Sequence, residues 1–296
     1  MTRAQNLILL HFVVLIFGFT GILGKLISLD SVALVWYRMT IAAVCMVAYL
    51  VIFRRRSVGS LKGLWKTLLT GILVALHWIA FFEAIQQSNV SVTLATMSAT
   101  ALFVALLNPF FSKVKFLFYE IVLGLAAVGG LLLIFGFESQ YKWGIILALA
   151  SSALAALFTV INAELVKVQS SLAISTWEML AGAVVVFAYI GLTKGISVEF
   201  FTVSAEDWLW LILLGVVATA FAFVVSVEVM KALSPFTVAI SVNLEPVYSI
   251  ILALVIFGAE EQMSPGFYIG ALIILLTIVI NAWLKKRSVK RLRQLS

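Results

Sequence analysis

The sequence predicts an all-α polytopic membrane protein of ten transmembrane helices arranged as two inverted five-helix repeats. Three observations carry that prediction. The 296 residues are 64% hydrophobic and 11% charged, whereas soluble domains run near ~45–50% apolar and ~25% charged. Ten apolar stretches approach the roughly 20 residues that a helix needs to span a bilayer. Finally, Leu64-Trp65-x-x-Leu68-Leu69…Glu83 recurs as Leu209-Trp210-x-x-Leu213-Leu214…Glu228, with six of twenty positions identical across 64–83 and 209–228.

In chain order the apolar stretches are 7–27, 33–53, 65–85, 90–111, 117–136, 143–163, 171–192, 208–230, 236–257 and 267–284. The first, within Asn6–Ile27, is longer than a signal-peptide core and precedes no soluble domain, so it reads as a retained span. Connections are short, as between antiparallel neighbours. Arg3, Arg54, Arg55, Arg56, Lys62, Lys66, Lys113, Lys115, Lys167, Lys231 and the tail Lys285–Arg293 fall on one side. The other side has Lys25, Lys142 and Lys194 beside Glu199, Glu206, Asp207, Glu260 and Glu261. Positive-inside bias then predicts a cell (inner) membrane protein with both termini cytoplasmic. The expected organisation is residues 1–138 as the first repeat, 139–284 as the second, inverted one, and 285–296 as a basic cytoplasmic tail on anionic membrane lipid.

The net charge of +7 sits in clusters between apolar runs, which is topology and not a nucleic-acid surface. Cys45 is the only cysteine, and His11 and His77 the only histidines. That composition excludes an intramolecular disulfide and a cysteine metal cluster. No cofactor, metal site or nucleophile–base constellation is expected, and so no enzyme.

The copies in the repeat lie five spans apart, so the second half crosses the membrane upside down relative to the first. Inverted repeats are the architecture of many secondary transporters, whose substrates bind between the halves. The second helix of each half extends the match, with Arg38-Met39 opposite Glu178-Met179 and Ala48-Tyr49 opposite Ala188-Tyr189. Further on, Gly124 matches Gly270.

Ionisable groups within a bilayer cost about 2.5–3.5 kcal/mol at the helix centre, so each needs a partner or a watery cavity. Arg38, about two turns into the second span, reads either as an anion-binding cation or as a structurally paired residue near the interface. Glu245 lies mid-span in Ser241-Val242-Asn243-Leu244-Glu245-Pro246-Val247-Tyr248, where Pro246 removes a backbone donor and frees a carbonyl. A carboxylate beside such a break can hold an amine or a proton; the plainer reading is a buried helix–helix hydrogen bond. Asn243 and Tyr248 flank it. By repeat position its partner is the fourth span, where Ser91, Thr93, Thr96, Ser98 and Thr100 form a hydroxylated face that lines a cavity or merely permits close packing. Thr100-Ala101 stands opposite Glu245-Pro246, so the halves differ chemically.

Glu178 mirrors Arg38 in depth with opposite charge. Glu83 and Glu228 lie near opposite faces, as gating groups or as interfacial carboxylates. His77 is either a proton relay or a hydrogen-bonded core histidine. Trp78 and Trp177 are candidate walls for an apolar or aromatic substrate, as are Trp36 and Tyr37, which an aromatic belt also explains. Gly18, Gly21 and Gly24 form a small-residue stripe for close packing or flexibility. Asn89-Val90-Ser91 fits the glycosylation pattern but sits in a very short turn against the membrane.

These features resemble the EamA-type transporters of the drug/metabolite transporter superfamily. Beyond the ten spans in two inverted halves, the resemblance rests on Phe82-x-Ala84-Ile85-x-x-Ser88-x-x-Ser91 and on Glu245-Pro246 followed by Gly258-Ala259-Glu260. The sequence departs from the pattern at Ala101, where a proline is expected, and at Lys113 and Lys115, where an acidic end is expected. The resemblance implies export or exchange of small metabolites such as amino acids, often driven by an ion gradient. The expectation is a central cavity formed by spans one to four and six to nine, with the fifth and tenth peripheral. In it Arg38 would hold a carboxylate, Glu245 an amine or a coupling proton, and the fourth span's hydroxyls would supply neutral bonds. The alternative is a flippase for lipid-linked substrates or a non-transporting scaffold; a homodimeric partner is compatible with either.

Overall fold

The computed structural model describes residues 2–53, 63–112, 118–137, 139–193 and 195–294. Arg54, Arg55, Arg56, Lys62, Lys113, Lys115 and Lys194 of the orientation argument lie outside the described residues, as do the side chains of Glu260, Glu261 and the basic tail. Among the described residues the spans are α1 Arg3–Leu26, α2 Ser31–Ile52, α3 Leu64–Gln87, α4 Val90–Ser112 and α5 Phe118–Phe137 in the first half. The second half holds α6 Lys142–Leu165, α7 Ser171–Thr193, α8 Ala205–Val229, α9 Pro235–Phe257 and α10 Pro265–Gln294. Each predicted span falls on one of these helices. The last differs in length: α10 continues to Gln294, so the basic tail prolongs the helix, because leaving the apolar zone does not oblige a helix to stop.

Polar residues in the connections start the helices. Thr2 and Gln5 form a capping box on α1, Asp30 accepts from the backbone of Val32 and Ala33, and Ser204 and Ser234 cap α8 and α9. Such caps satisfy amide groups that lack helical partners. Asn89 does the same for α4, accepting from Val92 N at 2.8 Å while only 4% exposed. Its side chain is thus committed to capping and turned away from the surface.

Because the helices alternate in direction, α1 begins and α10 ends on one face, here the terminal face; the other is the distal face. α3 packs on α6 and α7, α2 on α7 and α8, α1 on α8 and α9, and α4 on α6 and α9. The repeat exchanges these pairs: α3–α6 becomes α8–α1, and α3–α7 becomes α8–α2. α5 and α10 pack on each other at the edge, as expected of peripheral helices. Their contact is Gly130 on Gly270, where an added Cβ at Gly130 would reach 2.7 Å from the Gly270 carbonyl. Gly124, the repeat counterpart of Gly270, instead packs on Leu102. The α1 glycines serve close packing against three helices, with Gly18 on Tyr248 and Ser249, Gly21 on Val90 and Gly24 on Phe82. Large exposed apolar side chains such as Val44, Val184 and Leu192 cover the outside, as lipid requires.

Candidate functional site

α4 and α9 are both broken near mid-length, at positions related by the repeat. α4 divides into Val90–Met97 and Thr100–Ser112, and α9 into Pro235–Val242 and Glu245–Phe257. In α9 the cause is Pro246, which has no N–H to continue the ladder. α4 carries Ala101 there and breaks all the same. The Thr100 hydroxyl donates to Met97 O at 2.7 Å, and such side-chain bonds compete with helical ones. The breaks meet: Asn243 Nδ2 donates to Ser98 O at 2.9 Å across 145 residues, joining repeat counterparts. Interrupted backbone at membrane depth persists only where protein or water satisfies it. Asn243→Ala strands that carbonyl and should cost about 1–3 kcal/mol, read as a lower melting temperature of the purified protein.

Beside the breaks lies a cavity of about 120 Å³, with walls from α1, α2, α3, α4, α6, α8 and α9. Seven of the sequence candidates line it: Arg38, His77, Trp78, Ser98, Thr100, Asn243 and Glu245. Arg38 is 1% exposed. Its guanidinium sits 3.8 Å from the Trp78 ring centroid and 5.6 Å from that of Phe82, and its Nε donates to Thr219 Oγ1 at 2.6 Å. Its Nη1 is buried without a hydrogen-bond partner. Stacking on a desolvated aromatic face contributes about 2 kcal/mol, which holds the charge in place while leaving one end of the fork open.

Glu245 begins the second half of α9, where the helix N-terminus favours a negative charge. Its carboxylate interacts with Arg38 through space, without a salt bridge between them among the described residues. The cavity therefore holds a guanidinium from the first half and a carboxyl group from the second, with no salt bridge between them among the described residues.

His77 is both a cavity residue and a tie between helices. Its Nδ1 lies 3.0 Å from Ser151 O and 2.8 Å from Ser151 Oγ, while that hydroxyl donates to His77 O at 2.9 Å. Since the hydroxyl proton is already used, Nδ1 carries the imidazole hydrogen.

Ser91, Thr93, Thr96, Tyr248, Trp177, Glu178, Trp36 and Tyr37 lie off the cavity. Thr96 is fully buried in α4, its carbonyl accepting from Ser152 Oγ at 3.5 Å. Tyr248 packs on α1 at Gly18. Trp177 and Glu178 sit on α7, which supplies none of the cavity wall. The expected participation of the seventh span is thus corrected: α7 stands behind α2 and α3.

Thr219 is the residue that sequence reasoning missed. It lies in a π-helical stretch, Leu213–Phe221, and donates to Leu214 O at 2.7 Å; π-bulges recur at functional sites. The matching part of α3 is ordinary α-helix with Val74 in the equivalent place. That break in the repeat was the available signal.

The wall residues from α8 and α9, such as Ser226, Met230 and Val238, lie in the halves nearer the terminal face. On the distal side Phe82 packs against Gly24, and Asp207 accepts from Ser28 N at 2.8 Å and Ser28 Oγ at 2.5 Å. Glu83 accepts from Ser31 Oγ at 2.7 Å on the distal side, and Glu228 from Ser171 Oγ at 2.7 Å on the terminal side. Both carboxylates are thus matched clamps on the first residues of α2 and α7.

A solved crystal structure superposes on the chain with a TM-score of 0.71 at 17% identity, covering 97% of this chain and 99% of the other; at that identity the likeness is one of fold. Curated proteins gave no sequence match. The model of the EamA-like transporter family matches twice, at residues 5–136 and 142–283, one match to each inverted half. With both halves and the whole length accounted for, the chain is a multi-pass membrane protein that belongs to the EamA-like transporter family.

Proposed function

We propose that this protein is a secondary transporter of small polar or amphipathic metabolites, amino acids first, working by alternating access as an exporter or exchanger in the cell membrane with both termini cytoplasmic. The observation that carries the reading is the guanidinium and the carboxyl group that share one cavity. Arg38 Nη1 has no hydrogen-bond partner, and Glu245 shares the cavity with it without a salt bridge among the described residues. A zwitterion answers both needs, with its carboxylate on Arg38 and its ammonium on Glu245. Thr100 and Asn243 offer neutral hydrogen bonds, and Trp78, Phe81, Phe158 and Phe223 offer an apolar wall. The wall composition favours an amphipathic amino acid over a strongly charged one.

Untargeted metabolite profiling of cells with and without the protein tests the class: a shift confined to amino acids supports it, and unchanged amino acids with altered lipid-linked products sink it. At residue level, Glu245→Gln keeps the shape but removes the charge. It should lower amino-acid flux into proteoliposomes at least about tenfold, the equivalent of ~1.4 kcal/mol. Wild-type flux through a folded Glu245→Gln protein would refute the ammonium assignment.

A further inference from the structure

Glu178 is used by none of the interactions above. It is 0% exposed on α7, away from the cavity, and among the described residues its carboxylate has one hydrogen bond: Asn162 Nδ2 of α6 donates to Oε2 at 3.4 Å. Glu178 Oε1 and Asn162 Oδ1 are both buried without partners, as is Ser175 Oγ one turn away on α7. Two of these orphans are acceptors when the carboxylate is charged, so nothing in the cluster neutralises it.

Nor, among the described residues, does any neighbouring helix supply a cation. On α2, Arg38 is held by Thr219 and Trp78, and Cys45 lies in a groove facing α8. On α3, Lys66 lies over Trp65, His77 is tied to Ser151 and Glu83 to Ser31. On α6 Glu164 pairs with Lys167, and on α8 Asp207 and Glu228 hold Ser28 and Lys231. Among the described residues, Asn162 is the one side chain that bonds the Glu178 carboxyl. An isolated charge in such a place costs far more than a folded protein can offset, so the group neutralises instead.

We propose that Glu178 is a proton-binding site outside the substrate cavity, loaded in this conformation and paired as a carboxylic acid with the Asn162 amide. A proton on Oε1 turns the two orphan acceptors into one O–H···O bond beside the existing N–H···O bond, a cyclic acid–amide pair. The same proton removes the charge.

The repeat says when the proton leaves. Glu178 and Arg38 are counterparts, and so are the seams they occupy. Gly71 of α3 packs on the Glu178 backbone, as Gly215 of α8 packs near the Arg38 carbonyl. Here Arg38 faces the cavity from the α2–α8 seam, while Glu178 is fully buried in the α3–α7 seam. In an inverted repeat the halves exchange conformations as access alternates, which opens the Glu178 seam and lets its proton equilibrate with the opposite face. Each cycle then carries one proton with the substrate movement. This step rests on the transport reading; the loaded, neutral Glu178 does not.

Infrared spectroscopy separates the two. The wild-type protein at pH 7 should show the C=O band of a protonated carboxylic acid that Glu178→Gln lacks, and Asn162→Ala, which removes only the amide, should shift that band. Identical bands in all three proteins overturn the proton site, and the Asn162 variant decides the matter if Glu178→Gln does not fold. In proteoliposomes given a mixture of free amino acids and an internal pH-sensitive dye, wild type should acidify or alkalinise the lumen as amino acids move. Glu178→Gln should move amino acids with at least tenfold less proton flux. Equal proton flux in both overturns the coupling. If wild type moves no amino acids while the infrared result holds, the transport reading has failed and the proton site stands.

Discussion

Arg38→Ala should reduce transport by about 100-fold or more and lower stability by about 3 kcal/mol. The charge-assisted bond to Thr219 contributes about 1.5–3 kcal/mol and the stacking on Trp78 about 2, with partial offset as water enters the space. The functional loss is larger because the substrate carboxylate would meet no cation in the cavity, and ~3 kcal/mol of lost binding corresponds to roughly 100-fold. Arg38→Lys should fall between, since an ammonium keeps the charge but cannot bond Thr219 and reach the cavity at once. Initial uptake rates at matched protein density, read beside thermal unfolding, check both. Wild-type uptake by a folded Arg38→Ala protein would sink the carboxylate assignment.

Gly71→Val should prevent the bundle from closing. A Cβ at Gly71 would lie 2.7 Å from the Cα of Glu178 and 3.0 Å from its carbonyl carbon, and backbone cannot swing aside as a side chain can. α3 and α7 would have to separate, so the cost exceeds the usual ~1–3 kcal/mol of overpacking. Gly21→Ala is the control. Its Cβ meets chiefly the ends of the Val90 and Leu94 side chains, at 3.1 and 3.4 Å, which can give by a few tenths of an ångström, so this variant should express with a smaller drop in melting temperature. Size-exclusion profiles of the two proteins measure the difference; a monodisperse, wild-type-like Gly71→Val protein would refute the contact.

The spans were legible because lipid imposes one rule on long stretches of sequence: every backbone polar group must be satisfied within the helix, and the outside must be apolar. The inversion was legible because duplicated Trp and Glu stand out in a Leu/Val/Ala background. At the site, Arg38 and Glu245 could be read from the cost of burying charge. Glu178 satisfied the same rule yet lies off the cavity, since cost identifies a buried ion without saying which seam it faces. The α4 break was hidden because it depends on a Thr100 hydroxyl where α9 uses a proline. Thr219 was hidden because a hydroxyl in an apolar helix looks like packing until the turn around it is seen to be wide.

The bond between Asn243 and Ser98 places the two breaks face to face, so a residue there looks across at its own ancestral copy. Two identical halves would set a carboxylate against a carboxylate in one small space, where like charges repel. Here Thr100 answers Glu245, and the cation comes from the other half. For the proposed zwitterionic substrate that unequal arrangement sets a single orientation, carboxylate toward Arg38 and ammonium toward Glu245, within a symmetrical scaffold. Each half expressed alone would lack what the other half contributes.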